Sequence, residues 1–317
     1  MSTLDPQAQA LLDAAAASGF PPVYTLPHQE ARERMRAAFI QGEPEQIDRI
    51  EDFRIPAEHG SIPARLYHPV PTETLPLVLF FHGGGWTVND LDTHDRLCTL
   101  LANGSRSAVL SVDYRRAPEY KYPAAVEDAW SALDWVAGDQ RVPGVDPARI
   151  AVVGDSSGGT IAAALALKAR DRGGPSLTQQ VLIYPVTDYL DPPTASYVSR
   201  ATGYSLNLAF MQWSWDNYLP ENWSRDDGHL FPLRARDLAG LPPALVITAE
   251  FDPLRDEGMA YAQRLKDAGV PTQHWHFEDQ MHGFVMQTRA ISKARKAVED
   301  VAAHLAAGFQ RHTGGRP

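Results

Sequence analysis

The stretch Gly154-Asp155-Ser156-Ser157-Gly158-Gly159 joins a short apolar run, residues 150–153, to a segment with helical periodicity. A Gly-x-Ser-x-Gly sequence between a strand and a helix is typical of a nucleophile elbow, a turn so sharp that its central serine is strained. Glycine is needed two residues before and after that serine, because side chains there would collide. The spacing favours Ser156 as the nucleophile, since a turn centred on Ser157 would place Asp155 where a glycine is required.

A glycine-rich turn before a helix could instead cap the helix or cradle a phosphate. A phosphate-binding P-loop needs a lysine and then serine or threonine after its last glycine. This chain continues with Thr160-Ile161. The sequence therefore favours a nucleophile elbow over a phosphate site.

Short apolar runs rich in β-forming residues alternate with amphipathic runs from about residue 50 onwards. Runs that are apolar at successive positions are typical of strands buried on both faces of a parallel sheet. The alternation predicts an α/β fold with a doubly wound, mostly parallel sheet flanked by helices. The predicted strands include residues 77–81, 108–112, 150–153, 181–184, 244–249 and 272–277, and the predicted helices include residues 124–136, 160–170, 258–268 and 291–309.

A run of three glycines, His82-Gly83-Gly84-Gly85-Trp86, directly follows the predicted strand at 77–81. Acyl transfer creates a tetrahedral oxyanion, which backbone N–H groups stabilise when nothing obstructs their approach. Because the ends of parallel strands meet at one edge of a sheet, this run should lie beside the serine turn. We therefore expect the N–H groups of Gly83, Gly84 and Ser157 to form an oxyanion hole.

A serine nucleophile needs a base, and the base needs an orienting carboxylate. His282 comes after the predicted strand at 272–277, in a loop, which is where a catalytic histidine must lie in this kind of fold. His274 and His276 alternate on that strand and share one of its faces, so they could bind a metal, but no third ligand is evident. The position in a loop favours His282 as the base.

The carboxylate should come after the serine and before the histidine in the chain. Asp252 lies just past the end of the predicted strand at 244–249, which favours it. Glu250, Asp256 and Asp279 are rivals, and each could equally be an ordinary loop or cap carboxylate.

Taken together, these motifs resemble those of the hormone-sensitive-lipase-like branch of the α/β-hydrolases, the bacterial family IV carboxylesterases. They occur in the family's order and span nearly the whole chain from residue 50. One departure is Ser157, where the family usually carries alanine. The matching stretches are residues 82–86, Asp113-Tyr114-Arg115-Arg116-Ala117-Pro118-Glu119, residues 154–159, Tyr184-Pro185, Asp252-Pro253-Leu254-Arg255-Asp256-Glu257-Gly258 and His282-Gly283-Phe284.

The resemblance implies an α/β-hydrolase fold with an eight-stranded sheet and a helical cap. It also implies the roles of the site residues: a triad of Ser156, Asp252 and His282, and oxyanion donors on Gly83, Gly84 and Ser157. Since the donor on Ser157 is a backbone N–H, serine in place of alanine should leave the oxyanion hole intact. It adds a hydroxyl near the nucleophile.

Two segments fall outside the strand–helix alternation. Residues 1–45 look helical and precede the first strand, and residues 190–228 form a strongly aromatic insertion between two core strands. The insertion could be ordinary packing or a lid that lines a substrate pocket. The resemblance assigns both segments to a cap over a catalytic domain of residues 46–317. The candidate substrate contacts are Trp86, Phe210 and Trp213.

Composition and charge exclude several classes of partner. The 317 residues carry a net charge of −10, which argues against a general nucleic-acid binder and against docking on anionic membranes. The single cysteine excludes an internal disulfide framework. No basic leader is visible, and no run approaches the ~20 apolar residues of a membrane span. These features lead us to expect a cytoplasmic protein.

The sequence therefore predicts a serine carboxylesterase that hydrolyses short- to medium-chain acyl esters through an acyl-enzyme, with no metal or organic cofactor. An amidase, peptidase or lactonase could use the same residues. A non-catalytic ligand-binding protein on this scaffold is a further alternative, but the related plant gibberellin receptors have lost the catalytic histidine, and His282 is present here. The expected partner is a small-molecule ester, and a homodimer is among the expected states because the family often forms dimers.

Overall fold

One mixed sheet of eight strands lies at the centre of the fold in this computed structural model, which describes residues 2–40, 42–138 and 142–313. The strands are β1 (Arg49–Ala57), β2 (Gly60–His68), β3 (Leu75–Phe81), β4 (Ala108–Val112), β5 (Val145–Asp155), β6 (Leu177–Ile183), β7 (Ala244–Phe251) and β8 (Thr272–Met281). Their order across the sheet is β1-β2-β4-β3-β5-β6-β7-β8. The pairs β1–β2 and β2–β4 are antiparallel and the other neighbours are parallel, which confirms the predicted α/β fold.

Helices connect the strands and cover both faces of the sheet. They are α1 (Pro6–Ala17), α2 (His28–Phe39), α3 (Leu91–Ser105), α4 (Ala124–Ala137), α5 (Ser157–Asp171), α6 (Ala195–Ser199), α7 (Leu208–Tyr218), α8 (Arg255–Asp267) and α9 (Ser292–Thr313), with short 3₁₀ turns at Val23–Thr25, Pro232–Arg234 and Phe284–Met286. The four helices predicted from periodicity correspond to α4, α5, α8 and α9. Among the described residues, no helix combines the length and the apolar character that a membrane crossing requires.

The core has two apolar layers, one on each face of the sheet, and β3 shows why its sequence is apolar throughout. Leu77, Leu79 and Phe81 pack into the layer that contains buried residues of α4 and α5, while Val78 and Phe80 pack into the layer that contains buried residues of α3 and α9. Successive side chains of a strand point to opposite faces, so a strand covered on both sides needs apolar residues at every position.

Helix α3 was not among the predicted helices, although its start carries a recognisable signal. The side chain of Asp90 accepts a hydrogen bond from the N–H of Thr93 (3.1 Å), and the hydroxyl of Thr93 accepts one from the N–H of Asp90 (3.0 Å). This reciprocal arrangement is a capping box, in which threonine takes the place of the usual glutamate or glutamine. Because the third helical residue is threonine and not glutamate or glutamine, the capping box is easy to miss in the sequence.

The segment before β1 and the insertion between β6 and β7 both pack near the carboxyl ends of the strands. Arg32 of α2 donates hydrogen bonds to the carbonyl oxygens of Thr87 and Ala117, each at 2.9 Å. The ring of Trp86 stacks on that of Tyr218 of α7, with centroids 4.3 Å apart. The insertion therefore contacts the glycine run that follows β3, and the N-terminal segment contacts the residue directly after that run.

Candidate active site

Ser156 stands alone between the end of β5 and the start of α5, in a strained backbone conformation with φ 56° and ψ −123°. Its neighbours explain the glycines of the motif. A Cβ on Gly154 would lie 2.2 Å from the carbonyl oxygen of Gly158, and a Cβ on Gly158 would lie 2.0 Å from that of Phe81. Any larger residue would push the turn open, so this is the strand–turn–helix geometry that the glycine spacing predicts.

The structure brings the three predicted residues of the triad into one hydrogen-bonded chain. Nε2 of His282 lies 2.9 Å from Oγ of Ser156, and Nδ1 of His282 lies 2.7 Å from Oδ2 of Asp252. Asp252 follows β7 and His282 follows β8, so the carboxyl ends of three parallel strands supply the three groups. With its proton on Nδ1, the ring donates to Asp252 and leaves Nε2 free to accept the proton of the serine hydroxyl.

Asp252 is fully buried and its second oxygen is also occupied. Oδ1 accepts a hydrogen bond from the N–H of Leu254 at 2.9 Å, while Oδ2 faces His282. Each oxygen of the carboxylate therefore has a donor, which fixes the carboxylate plane and, through it, the orientation of the imidazole.

The rival carboxylates are all engaged elsewhere. Asp256 accepts from the N–H of Ser196 at 2.8 Å, and Glu250 pairs with Arg200 and Arg255 at 3.0 and 2.7 Å. The remaining rival, Asp279, pairs with Lys293. None of these carboxylates contacts His282 in the part of the chain that the structure describes, so the geometry selects Asp252.

His274 and His276 share one face of β8, as the alternation predicts. Both rings hydrogen-bond to the hydroxyl of Thr248 on the neighbouring strand, at 2.8 and 2.9 Å, and His276 also lies 3.3 Å from Glu250. Within residues 2–40, 42–138 and 142–313, no group of three or more histidine, cysteine or carboxylate side chains could hold a metal ion.

The glycine run lies beside the elbow, but Gly83 is not placed as we expected. Its N–H donates to Oδ1 of Asp155 at 2.9 Å and so is already engaged. Burial alone would raise the pKa of Asp155, but the nearby His94 ring and the N–H of Gly83 outweigh burial and hold the pKa below its usual value. The N–H of Gly83 thus already has an acceptor within the protein.

Gly84 and Gly85, by contrast, line the cavity over the nucleophile. No hydrogen bond inside the described ranges engages the N–H group of either residue. Ser157 is the first residue of α5, where a helix has no carbonyl partner for its N–H groups. Unoccupied N–H groups on both loops therefore lie at the site, as an oxyanion hole requires.

A cavity of about 140 Å³ opens above Ser156 and His282, and much of its wall is apolar. The N-terminal segment and the aromatic insertion both contribute to it, so the wall combines residues that are far apart in the chain. The apolar side chains that line it are Val23, Met35, Phe39, Tyr184, Leu206, Phe210 and Met286.

Of the three aromatic side chains that were candidates for substrate contacts, only Phe210 lines the cavity. Trp86 is fully buried between Trp215 and Tyr218, where it joins the glycine run to α7. Trp213 stacks on His28, with ring centroids 5.7 Å apart. Sequence reasoning recognised the aromatic insertion but could not assign the direction of each ring.

Several lining residues were not predicted, and their signals in the sequence differ in strength. Tyr184 lies in the Tyr-Pro motif after β6, and its ring packs 4.4 Å from that of His282. Gly85 belongs to the glycine run itself. Met35 and Phe39 lie four residues apart on α2, a spacing that places them on one helical face, but nothing in the sequence shows that this face turns toward the site.

The fold, the strained serine turn and the hydrogen-bonded Ser–His–Asp arrangement define a serine hydrolase of the α/β-hydrolase class. Residues 78–286 match the profile of the Abhydrolase_3 family, described as an alpha/beta hydrolase fold, and the chain belongs to this family, in its hormone-sensitive-lipase-like branch.

Several relatives that the chain resembles over nearly its whole length are esterases. Carboxylesterase NlhH of Mycobacterium tuberculosis is 39% identical over 306 residues, which cover 93% of this chain and 92% of the relative. The structure of a hyperthermophilic esterase from the archaeon Pyrobaculum calidifontis is 41% identical, with a TM-score of 0.91, covering 96% of this chain and 98% of that one.

An ester hydrolase from the metagenome of Lake Arreo, solved in complex with a derivative of bipyridine phosphonate, is 39% identical with a TM-score of 0.93 and covers 97% of this chain and 100% of that one. Together with the geometry of the site, these likenesses show a carboxylesterase, a hydrolase of carboxylic esters.

Proposed function

We propose that Ser156, His282 and Asp252 are the catalytic triad of this carboxylesterase. The observation that carries the proposal is the continuous hydrogen-bonded chain from Oγ of Ser156 through the imidazole to the buried carboxylate. Ser156 attacks the ester carbonyl while His282 takes its proton, and Asp252 stabilises the imidazolium that forms. His282 then protonates the leaving alcohol and later activates the water that releases the acid.

The N–H groups of Gly84, Gly85 and Ser157 form the oxyanion hole in this proposal, and Gly83 is replaced by Gly85. The hydrogen bond from Gly83 to Asp155 supports the change, because it removes one of the expected donors. The positions of Gly84 and Gly85 in the cavity wall support it as well. Donors on two different loops can bind the developing oxyanion from two sides.

The two segments outside the strand–helix alternation act as a cap in this proposal. Met35 and Phe39 from the first segment and Leu206 and Phe210 from the second meet over Ser156. They make an apolar wall, which favours acyl chains over charged groups, and they bound the space available to the chain. Esters of short and medium acyl chains fit this enclosure.

Activity on p-nitrophenyl esters should therefore rise with acyl length and then fall. Each methylene that enters the apolar cavity contributes about 0.8 kcal/mol, so kcat/KM should increase severalfold per carbon from acetate to about butyrate or hexanoate. Longer acyl chains exceed the cavity, so their further methylenes add no binding free energy, and kcat/KM should be lower again by decanoate. A series of esters from acetate to palmitate measures this, and a maximum at palmitate would contradict the enclosed site.

Two variants in α7 make a matched pair for the same measurement. Phe210→Ala enlarges the cavity and should move the maximum to longer acyl chains by roughly one to three carbons, since a phenyl ring occupies about the volume of several methylenes. Gln212→Ala removes a side chain of the same helix that does not line the cavity and hydrogen-bonds to Asp216, so it should leave the position of the maximum unchanged. Equal shifts in both variants would contradict the assigned lining.

A further inference from the structure

The two neighbours of the nucleophile hold the two ends of the glycine run. Asp155, before Ser156, accepts the N–H of Gly83 at 2.9 Å. Ser157, after it, accepts the N–H of Trp86 with its side-chain Oγ at 3.2 Å. Between these two attachments lie Gly84 and Gly85, which line the cavity and whose N–H groups have no partner in the described chain. The elbow and the glycine run are thus connected on both sides of the candidate oxyanion hole.

The bond from Trp86 to Ser157 satisfies a group that has no other acceptor within the described residues. Trp86 and Ser157 are both fully buried, and water therefore does not reach this N–H. Trp86 also has φ 56°, in the left-handed region that a residue with a bulky side chain rarely adopts. A buried, unpaired N–H is costly, so in this chain the hydroxyl of Ser157 stabilises this conformation of the loop.

A second hydroxyl extends the connection to the beginning of the run. Tyr114 is buried, and its ring stacks on that of His82 with centroids 4.4 Å apart. The hydroxyl of Tyr114 donates to the carbonyl oxygen of His82 at 2.7 Å. Ser157 and Tyr114 together therefore reach both the first and the last residue of the run His82–Trp86.

We propose that the side chain of Ser157 is a positioning residue for the oxyanion hole. Its hydroxyl fixes Trp86, and through Trp86 it holds the N–H groups of Gly84 and Gly85 against the elbow. The inference rests on the proposed function, in which these two N–H groups bind the oxyanion. It gives a role to the hydroxyl at a position where the resembling family usually carries alanine, and this role is separate from that of the Ser157 backbone N–H.

The test is Ser157→Ala, which removes the hydroxyl and keeps the backbone donor. The oxyanion exists only in the tetrahedral state, so a displaced hole should lower kcat and leave substrate binding unchanged. We expect kcat to fall about tenfold, equivalent to about 1.4 kcal/mol. KM should stay within about twofold, and the affinity for a trifluoromethyl ketone, which forms a tetrahedral adduct with the serine, should fall by the same factor as kcat.

Ser105→Ala is the matched control. Ser105 is a buried serine of α3 whose hydroxyl donates to the carbonyl oxygen of Leu101 at 2.6 Å, away from the site. Its loss should lower the melting temperature without changing kcat or the affinity for the ketone. Tyr114→Phe is a second variant at the other end of the run, because it removes the hydroxyl that donates to the carbonyl oxygen of His82. It should lower kcat at constant KM.

An unchanged kcat in Ser157→Ala, or a higher KM with unchanged kcat, would overturn the positioning role. If Ser157→Ala does not fold, Ser157→Cys decides, because a thiol of similar size accepts a hydrogen bond only weakly: a lower kcat at constant KM supports the role, and an unchanged kcat overturns it. If the proposed catalytic triad were wrong, Ser156→Ala would keep its esterase activity. This result does not depend on the activity of Ser157→Ala, so the two failures can be distinguished.

Discussion

Ser156→Ala should lose nearly all esterase activity while keeping its fold. Removing the nucleophile of a serine hydrolase lowers kcat by roughly 10⁶-fold and leaves at most ~10³–10⁴-fold acceleration over water, from binding and the oxyanion hole. The reason here is geometric. Oγ of Ser156 is the one serine oxygen in the described chain that contacts Nε2 of His282. Steady-state hydrolysis of p-nitrophenyl butyrate measures the loss.

The control for this variant is its thermal unfolding and its circular dichroism, both of which should match those of the parent protein. Among the residues that the structure describes, the side chain of Ser156 hydrogen-bonds only to His282, and alanine can take the same backbone conformation at no greater strain than serine. A folded Ser156→Ala protein with full activity would contradict the assignment of the nucleophile.

Asp252→Asn should cut kcat by roughly 10⁴-fold with little change in stability. Both oxygens of Asp252 accept hydrogen bonds, from His282 on one side and from the N–H of Leu254 on the other. An amide has only one oxygen, and if that oxygen faces Leu254 the NH₂ group faces Nδ1 of His282. The imidazole must then carry its proton on Nε2, where it can no longer accept the proton of Ser156.

Asp256→Asn is the matched control, since Asp256 lies four residues further along the same loop and helix. Its carboxylate holds the N–H of Ser196 and the side chain of Arg255, so the variant should lose some stability but keep kcat within about threefold. Comparison of kcat for the two variants tests the choice of acid. A larger loss of kcat in Asp256→Asn than in Asp252→Asn would show that the wrong carboxylate of the motif was assigned.

The turn at Ser156 could be predicted from the sequence because its cause is local. The glycines at 154 and 158 relieve collisions within the turn and with β3, and those collisions follow from the sharpness of the turn itself. The strands could be predicted for a similar reason, since burial on both faces leaves a continuous apolar run. The predicted strand at residues 108–112 coincides with β4, whereas the predicted strand at 150–153 is only part of β5.

The choice of oxyanion donors depends on contacts between residues that are distant in the chain, so the sequence alone could not decide among the glycines of the run. From the sequence, we favoured Gly83 and Gly84 over Gly85. The carboxylate of Asp155 distinguishes them, because it binds the N–H of Gly83 across the neighbouring ends of β3 and β5. The same limit applies to Trp86, whose ring packs on α7, an element 120 or more residues away. Side-chain direction in such places follows from tertiary packing and not from local pattern.

The most direct test of the catalytic assignment is labelling with a fluorophosphonate, which reacts with an activated serine, followed by mass spectrometry of the intact chain and of its peptides. Activation requires Nε2 of His282 to take the proton of the attacking hydroxyl. Oγ of Ser156 lies 2.9 Å from Nε2, within hydrogen-bond distance for this transfer. We expect one adduct per chain, located on Ser156, with esterase activity lost in proportion to labelling. An adduct on Ser157 or on any other residue, or a fully labelled protein that keeps its activity, would contradict the assignment.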